Sequence, residues 1–183
     1  MNPIHVHGSE APSAWVRRWS HLVAPGGTVL DVACGAGRHL RWFHERKHPV
    51  VGVDRARDAI DSVASLGRMV CADIEDGPWP FCSETFAGVV VTNYLWRPLL
   101  PAIVAAVAPG GVLLYETFAA GNETVGKPSR PDFLLQPGEL LAACAGLRVV
   151  AYEDGFQDAP PRFVQRIAAV RTPAGEHQGR YLL

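Results

Sequence analysis

The chain has little of what would mark it for a membrane, a nucleic acid or an oxidising compartment. No apolar stretch approaches the roughly 18 residues that a membrane span requires. The N-terminal region also lacks the basic-then-apolar order of a signal peptide. Lys and Arg number 17 against 18 Asp and Glu, a formal net charge of −1, so no overall basic field draws the protein to nucleic acid or anionic lipid. The cysteines are few and scattered: Cys34, Cys71, Cys82 and Cys144 form no C-x-x-C pair, and each lies in or beside an apolar run. They read as free thiols in a reducing compartment rather than a disulfide or zinc framework. His5 and His7 make an H-x-H pair with no third ligand nearby, so no metal is expected. Internal repeats and low-complexity segments are absent too. The expectation is a cytoplasmic protein with no membrane partner.

What is present is an ordinary globular composition, 48% hydrophobic and 19% charged over 183 residues, which suits a single domain. Ser13 to Val23 has the apolar spacing of a helix, with Trp15, Val16, Trp19, Leu22 and Val23 on or near one face, stopped by Pro25-Gly26-Gly27. Buried-strand runs follow at Thr28–Ala33, Pro49–Val53, Arg68–Ala72, Gly88–Thr92 and Val112–Thr117. Helical stretches at Arg38–Lys47, Arg57–Leu66 and Leu99–Val107 alternate with them, while Ile74–Phe86 reads mainly as loop. A polar loop, Ala119–Leu135, leads to a helix at Pro137–Ala145. Two final strands, Leu147–Tyr152 and Phe163–Arg171, have only a loop between them. This order predicts an α/β fold: a Rossmann-like, doubly wound, seven-stranded sheet, mostly parallel, with one antiparallel strand near the edge. Within the domain, residues 1–27 form a helical lead-in, 28–118 a ligand-binding core, 119–136 a lid over the site, and 137–173 the closing helix and strand pair.

In such sheets ligands sit outside the carboxyl ends of the strands. After the first strand come Asp31 and the turn Cys34-Gly35-Ala36-Gly37, whose glycines let backbone approach a ligand at the positive end of the following helix. The third position of a dinucleotide fingerprint would be Leu40, which counts against a bound pyrophosphate. Asp54, after the second strand, can accept both hydroxyls of a ribose; alternatively it caps the next helix. Asp73 and Ile74, after the third, suit an exocyclic amino group and a ring face, or else a turn before the Pro/Gly-rich loop. Two acids after neighbouring strands, both following a G-x-G turn, point to an adenosine-bearing ligand. An NAD-dependent oxidoreductase shares the turn and Asp54 but leaves Asp73 and the closing strand pair unexplained.

Val29 to Gly37, Val51-Gly52-Val53-Asp54, Cys71-Ala72-Asp73-Ile74, and Leu99 to Leu114 with its Pro109-Gly110-Gly111 turn together resemble the class I S-adenosylmethionine-dependent methyltransferases. The resemblance covers Thr28 to Tyr115, and the final strands fit the family's antiparallel ending. It implies methyl transfer from S-adenosylmethionine, leaving S-adenosylhomocysteine. Gly35 and Gly37 would lie under the methionine part, Asp31 would meet its ammonium, Asp54 the ribose, and Asp73 with Ile74 the adenine. Thr92, Asn93 and Tyr94 follow the fourth strand, where the family places groups facing the sulfonium and the acceptor. A looser resemblance, to small bacterial methyltransferases of the tellurite-resistance type, rests on size, on Arg38 and on Gly121-Asn122-Glu123 and Pro131 to Leu135 in the long loop.

On the acceptor side alternatives stay open. Tyr94 acts on the acceptor or packs. Glu116 is a general base or a salt-bridged rim residue. Arg97 holds an anionic acceptor or is a solvated helix-start residue, and Lys127 and Arg130 bind an acidic substrate or keep the loop soluble. Phe118, Phe133, Leu134 and Leu135 are expected to exclude water, with Glu123 as a further polar handle. DNA amino-methylating enzymes of this fold carry Pro-Pro and an aromatic where Asn93 is followed by Tyr94-Leu95, and pyrimidine-carbon enzymes need a Cys that the stretch between Cys82 and Cys144 lacks. A small-molecule acceptor is therefore expected, and nucleic acid is not; a donor-binding regulatory protein without turnover is the other reading of the same motifs.

Overall fold

The computed structural model describes residues 11–175 and 179–183; the His5 and His7 pair lies outside the described residues. Seven strands form one sheet: β1 (Val29–Val32), β2 (Val50–Asp54), β3 (Arg68–Cys71), β4 (Phe86–Thr92), β5 (Val107–Phe118), β6 (Arg148–Gln157) and β7 (Arg162–Val170). Their order is β3-β2-β1-β4-β5-β7-β6. β1 to β5 are parallel, and β7 runs antiparallel to both β5 and β6. The expected single antiparallel strand beside an edge is therefore β7. The order reverses direction at β1 and β4, which opens the crevice where such sheets hold ligands.

Alternate side chains divide the core between the two faces. Val53, Val89, Val91, Leu113 and Tyr115 pack toward α4 (Leu100–Ala105) and α5 (Glu139–Ala143). Val90, Leu114 and Ala168 pack toward α1 (Ala14–Trp19) and α2 (Arg38–Glu45). The central strands are buried on both faces, which is why they read as unbroken apolar runs. α3 (Arg57–Ser62) connects β2 to β3. α1 starts at Ser13, whose side chain accepts from Trp15 N and Val16 N and satisfies two of the helix's free amides.

The largest departures from the sequence expectation are at β5, β6 and α5. The helix expected to Val107 stops at Ala105, and Val107 already pairs with Phe86 in β5. Pro109-Gly110-Gly111 thus interrupts a strand instead of opening one, with the register shifting between Phe86 and Gly88. β6 continues to Gln157 because β7 offers it partners along its whole length. Pro137 lies before α5, whose N-cap is Gly138 in the left-handed region at φ 74°. The four cysteines are free thiols, with Cys34 and Cys144 buried, Cys71 partly buried and Cys82 exposed.

Candidate functional site

The carboxyl ends of β1, β2 and β3 line up in register, Asp31 opposite Gly52 and Asp54 opposite Cys71. At their mouth is a small cavity of about 140 Å³, lined by residues that include Ala33, Asp54, Arg55, Asp73, Ile74 and Tyr94. Asp54 is fixed by backbone alone. Its Oδ2 accepts from Gly35 N at 2.8 Å and its Oδ1 from Ala56 N at 2.9 Å. A carboxylate offers about four lone-pair sites, so two remain for a ligand. The expected helix cap is not its role, since α3 has Ala56 at the N-cap and no side-chain cap.

The two glycines do different work. Gly35 has φ 51° and nothing within 4 Å of where a Cβ would stand, so its backbone faces open space. Gly37, at φ 74°, would drive a Cβ to 2.7 Å from Val63 Cγ1; its lack of a side chain lets α2 pack on the segment after α3. Ala33 also sits in the left-handed region, at φ 53°, and costs roughly 1–2 kcal/mol of strain there.

Asp31 is buried, and its Oδ2 has no hydrogen-bond partner. Burial raises its pKa to about 8, against the pull of Arg38. His39 Nδ1 lies 3.8 Å from that oxygen, but burial and Arg38 lower the imidazole to about 3, so it is neutral and brings no positive charge. An orphaned oxygen on a buried acid leaves a polar site open to a ligand donor or cation. Asp73 is exposed; its Oδ1 accepts from Glu75 N and Asp76 N, and the first of these bonds holds its carboxyl below the usual range. Ile74 is buried in the core beneath the cavity.

Tyr94 lines this same cavity. Burial first, then the Glu75 and Asp73 carboxylates, raise its phenol above the ordinary range. Tyr115 donates its hydroxyl proton to the Tyr94 carbonyl at 2.9 Å and holds the segment down. Asn93 is exposed in the left-handed region at φ 54°, its N–H bonded to Glu116 O. Thr92 Oγ1 accepts from Arg38 at 3.4 Å.

Glu116 lies on the opposite face of the sheet from Tyr115, so Tyr94 and Glu116, the two expected catalytic groups, do not meet. Glu116 is buried and fully engaged. Ser13 Oγ donates to its Oε1 at 2.9 Å, Arg166 Nε lies 2.5 Å from Oε2, and Arg162 is 3.8 Å away. A base needs a free oxygen within reach of the acceptor, and the geometry makes Glu116 the centre of an ion-pair cluster instead. Arg97 is partly exposed but tied to protein groups. It grips Glu139 through two hydrogen bonds and donates to the carbonyls of Asp132 and Leu134.

The long loop is braced at both ends. Leu135 N bonds Phe118 O, Ala120 N bonds Leu135 O, and Leu134 and Leu135 are buried in the core. Buried Asn122 ties it internally, donating to Pro128 O and accepting from Phe163 N. Arg130 pairs with Asp132 and stands over the ring of Phe133, while Glu123 accepts from Gly121 N. These handles are spent within the loop.

Sequence reading missed Ser13, His39, Arg162 and Arg166. The one available signal was the four-residue spacing of the two arginines on a strand, which places both on one face.

Residues 29–111 match the family described as Methyltransferase domain. Malonyl-[acyl-carrier protein] O-methyltransferase of Serratia marcescens is 34% identical over 107 residues, 54% of this chain and 41% of that protein. mRNA cap guanine-N(7) methyltransferase 1 of Oryza sativa subsp. japonica is 29% identical over 135 residues, 56% of this chain and 35% of that one. The matches thus span less than half the length of these curated relatives. Among solved structures, TehB from Haemophilus influenzae superposes with a TM-score of 0.71 at 17% identity, over 88% of this chain and 63% of TehB. The matched residues, 29–111, take in β1 to β4 and the crevice at the ends of β1, β2 and β3, so over that part the chain is similar to S-adenosylmethionine-dependent methyltransferases.

Proposed function

We propose that the protein transfers a methyl group from S-adenosylmethionine to a small-molecule acceptor. The observation that carries this reading is the buried, unbonded Oδ2 of Asp31 beside an open glycine turn. The methionine ammonium of the donor supplies the cation that this oxygen lacks, whereas NAD has no such group. Asp54 would hold the ribose through its two remaining lone-pair sites, and Asp73, Ile74 and Tyr94 the adenine. Gly35 leaves room for the methionine chain.

Bound S-adenosylmethionine supplies an already activated methyl carbon. The protein's own contribution is alignment, which is worth roughly 7–11 kcal/mol of barrier. Tyr94 then acts as a wall of the adenine end. Glu116 acts as a positioning residue that fixes Arg162, Arg166 and the start of α1. The 119–136 segment forms the acceptor wall, with its closing motion confined to the exposed residues between Asn122 and Leu134.

The curated relatives are named for acceptors as different as a malonyl group on a carrier protein and an mRNA cap guanine, so the acceptor is argued from this chain alone. The near-neutral net charge supports a small molecule over nucleic acid. No helix among the described residues is long and apolar enough to cross a membrane.

Thermal denaturation tests the reading. S-adenosylmethionine and S-adenosylhomocysteine at 100 times their dissociation constants should add about 2.7 kcal/mol of stability, and NAD none. Stabilisation by NAD alone would overturn it. Hydrogen exchange should show residues 123–133 gaining protection when S-adenosylhomocysteine binds; equal exchange in both states would remove the closing motion.

A further inference from the structure

The cluster around Glu116 leaves one cation badly served. Arg166 takes the close carboxylate contacts, 2.5 Å to Glu116 on its inner side and 3.0 Å to Glu153 on its outer side. Arg162, two strand repeats earlier on the same face, receives what is left. Its Nη2 is 3.8 Å from Glu116 and donates one bond, at 3.2 Å, to the neutral Gln157 side chain, which Arg166 also uses. Its Nε, like that of Arg166, is sealed from solvent and makes no hydrogen bond, but Arg166 has two carboxylates within 3.0 Å to offset this. Burial, together with repulsion from Arg166 and Arg38, holds the Arg162 guanidinium below the ordinary arginine range. Such an arrangement is costly in the free protein, and 21% of the side chain remains accessible to a ligand.

Position gives this cation a use. In the sheet Glu116 stands opposite Thr92 of β4 and opposite Arg166 of β7, which puts the cluster at the carboxyl ends of β4 and β5. Arg38 bonds Thr92 at the end of β4. Arg162 therefore lies at the start of β7, next to the carboxyl end of β5 and on the edge of the sheet where the crevice opens.

We infer that Arg162 is an anion-binding position for the methyl acceptor, and that the group it takes is a carboxylate. The inference rests on the reading that the neighbouring crevice holds the methyl donor. A planar two-oxygen group matches a guanidinium edge. A monoanion also fits the surroundings better than a phosphate dianion, because buried Glu116 lies within 4 Å of the same guanidinium and would repel the second charge. Arg97, the arginine that its place after β4 first suggests for this task, is consumed by Glu139 and the long loop.

The test uses the full chain, free and saturated with S-adenosylhomocysteine. Acetate, benzoate and inorganic phosphate, with the neutral isosteres acetamide and benzamide, are titrated at constant ionic strength. The readouts are the ¹H–¹⁵N resonance of the Arg162 Nε–H and the melting temperature. The carboxylates should move the resonance in both states while the amides do not. Arg162→Gln should weaken benzoate binding by about tenfold or more, Arg162→Lys by less, and both should leave S-adenosylhomocysteine affinity within about twofold. The wild-type resonance decides the matter even if a variant fails to fold.

The inference is overturned if amides act like acids, if phosphate alone binds, or if benzoate binding survives Arg162→Gln. It is also overturned if S-adenosylhomocysteine displaces the carboxylates and loses affinity in the variant, since Arg162 would then hold the donor's own carboxylate. Failure of S-adenosylhomocysteine to bind at all contradicts the methyl-donor reading instead, and the titration of the free protein still decides whether Arg162 takes a carboxylate.

Discussion

Two carboxylates mark the two halves of the sheet's carboxyl edge, and they are held by opposite means. Asp54, on the β2 side, is fixed by the backbone amides of Gly35 and Ala56, so no other charged side chain is needed to orient it. Glu116, on the β5 side, is fixed by side chains from distant parts of the chain: Ser13 before α1, and Arg162 and Arg166 on β7. The first arrangement keeps lone pairs free for a ligand. The second spends its carboxylate on internal order and leaves Arg162 with a distant share of it, 3.8 Å away. On the proposed reading, the first half would meet the ammonium and ribose of the donor, and the second a carboxylate of the acceptor.

The sharpest way to break this contrast is to remove Arg166. Arg166→Met strands the buried Glu116 carboxylate and should cost about 3–5 kcal/mol, a fall of roughly 10 °C in melting temperature for a chain of this size. Replacing Glu116 by Leu in the same variant should recover most of it. A loss under about 1 kcal/mol would mean that the cluster is solvated and that Glu116 is a rim residue after all.

Asp54→Ala should divide the effects the other way. Calorimetry should show S-adenosylhomocysteine binding weakened by about ten- to a hundredfold, from losing about 1.5–3 kcal/mol of charge-assisted bonding. Stability without ligand should fall by only about 1–2 kcal/mol, because the Gly35 and Ala56 amides lose their acceptor. Unchanged affinity would remove Asp54 from the site.

Acidity sharpens the donor half further. Asp31 titrates near 8 in the folded chain and near 4 when unfolded, so between those values the native state holds a proton that the unfolded state has lost. Stability of the free protein from this group therefore falls as pH rises from about 4 to 8. A ligand ammonium requires the ionised form. S-adenosylhomocysteine affinity should rise about tenfold from pH 6 to 7 and level off above 8, and Asp31→Asn should abolish the slope. A flat profile in the wild-type protein would show that no cation meets Asp31.

How much of this was legible in the sequence follows from the same contrast. Asp31 lies near the end of β1, Asp54 ends β2 and Asp73 follows β3, and a parallel sheet brings consecutive strand ends to one edge whatever the rest of the chain does. The donor half could therefore be read from local pattern alone. The cluster at Glu116 joins residues 103 positions apart in the case of Ser13, and nothing in the spacing of Ser13 and Arg166 announces their contact. Glu116 was expected at its strand end as a base or a salt-bridged rim residue by the same rule that put Asp54 at the edge; the rule says nothing of which face a residue takes. The long loop was visible from its length, whereas its bracing by Asn122 and Arg97 depends on tertiary hydrogen bonds.

The smallest expected effect lies at Ala33, whose left-handed backbone costs roughly 1–2 kcal/mol. Ala33→Gly relieves that strain but adds about 0.5–1 kcal/mol of unfolded-state freedom. Chemical denaturation should show a gain of no more than about 1 kcal/mol; a clear loss would show that the methyl group packs in the crevice.

The account stands or falls most directly on backbone amide shifts when S-adenosylhomocysteine is titrated into the wild-type chain. The amides of Gly35, Ala56, Ile74 and Glu75 should move at one common saturation point, while those of Gln165 and Arg166 on β7 stay nearly still. Shifts concentrated on β7 and the long loop, with Gly35 and Ala56 unmoved, would contradict the placement of a methyl donor at the ends of β1, β2 and β3.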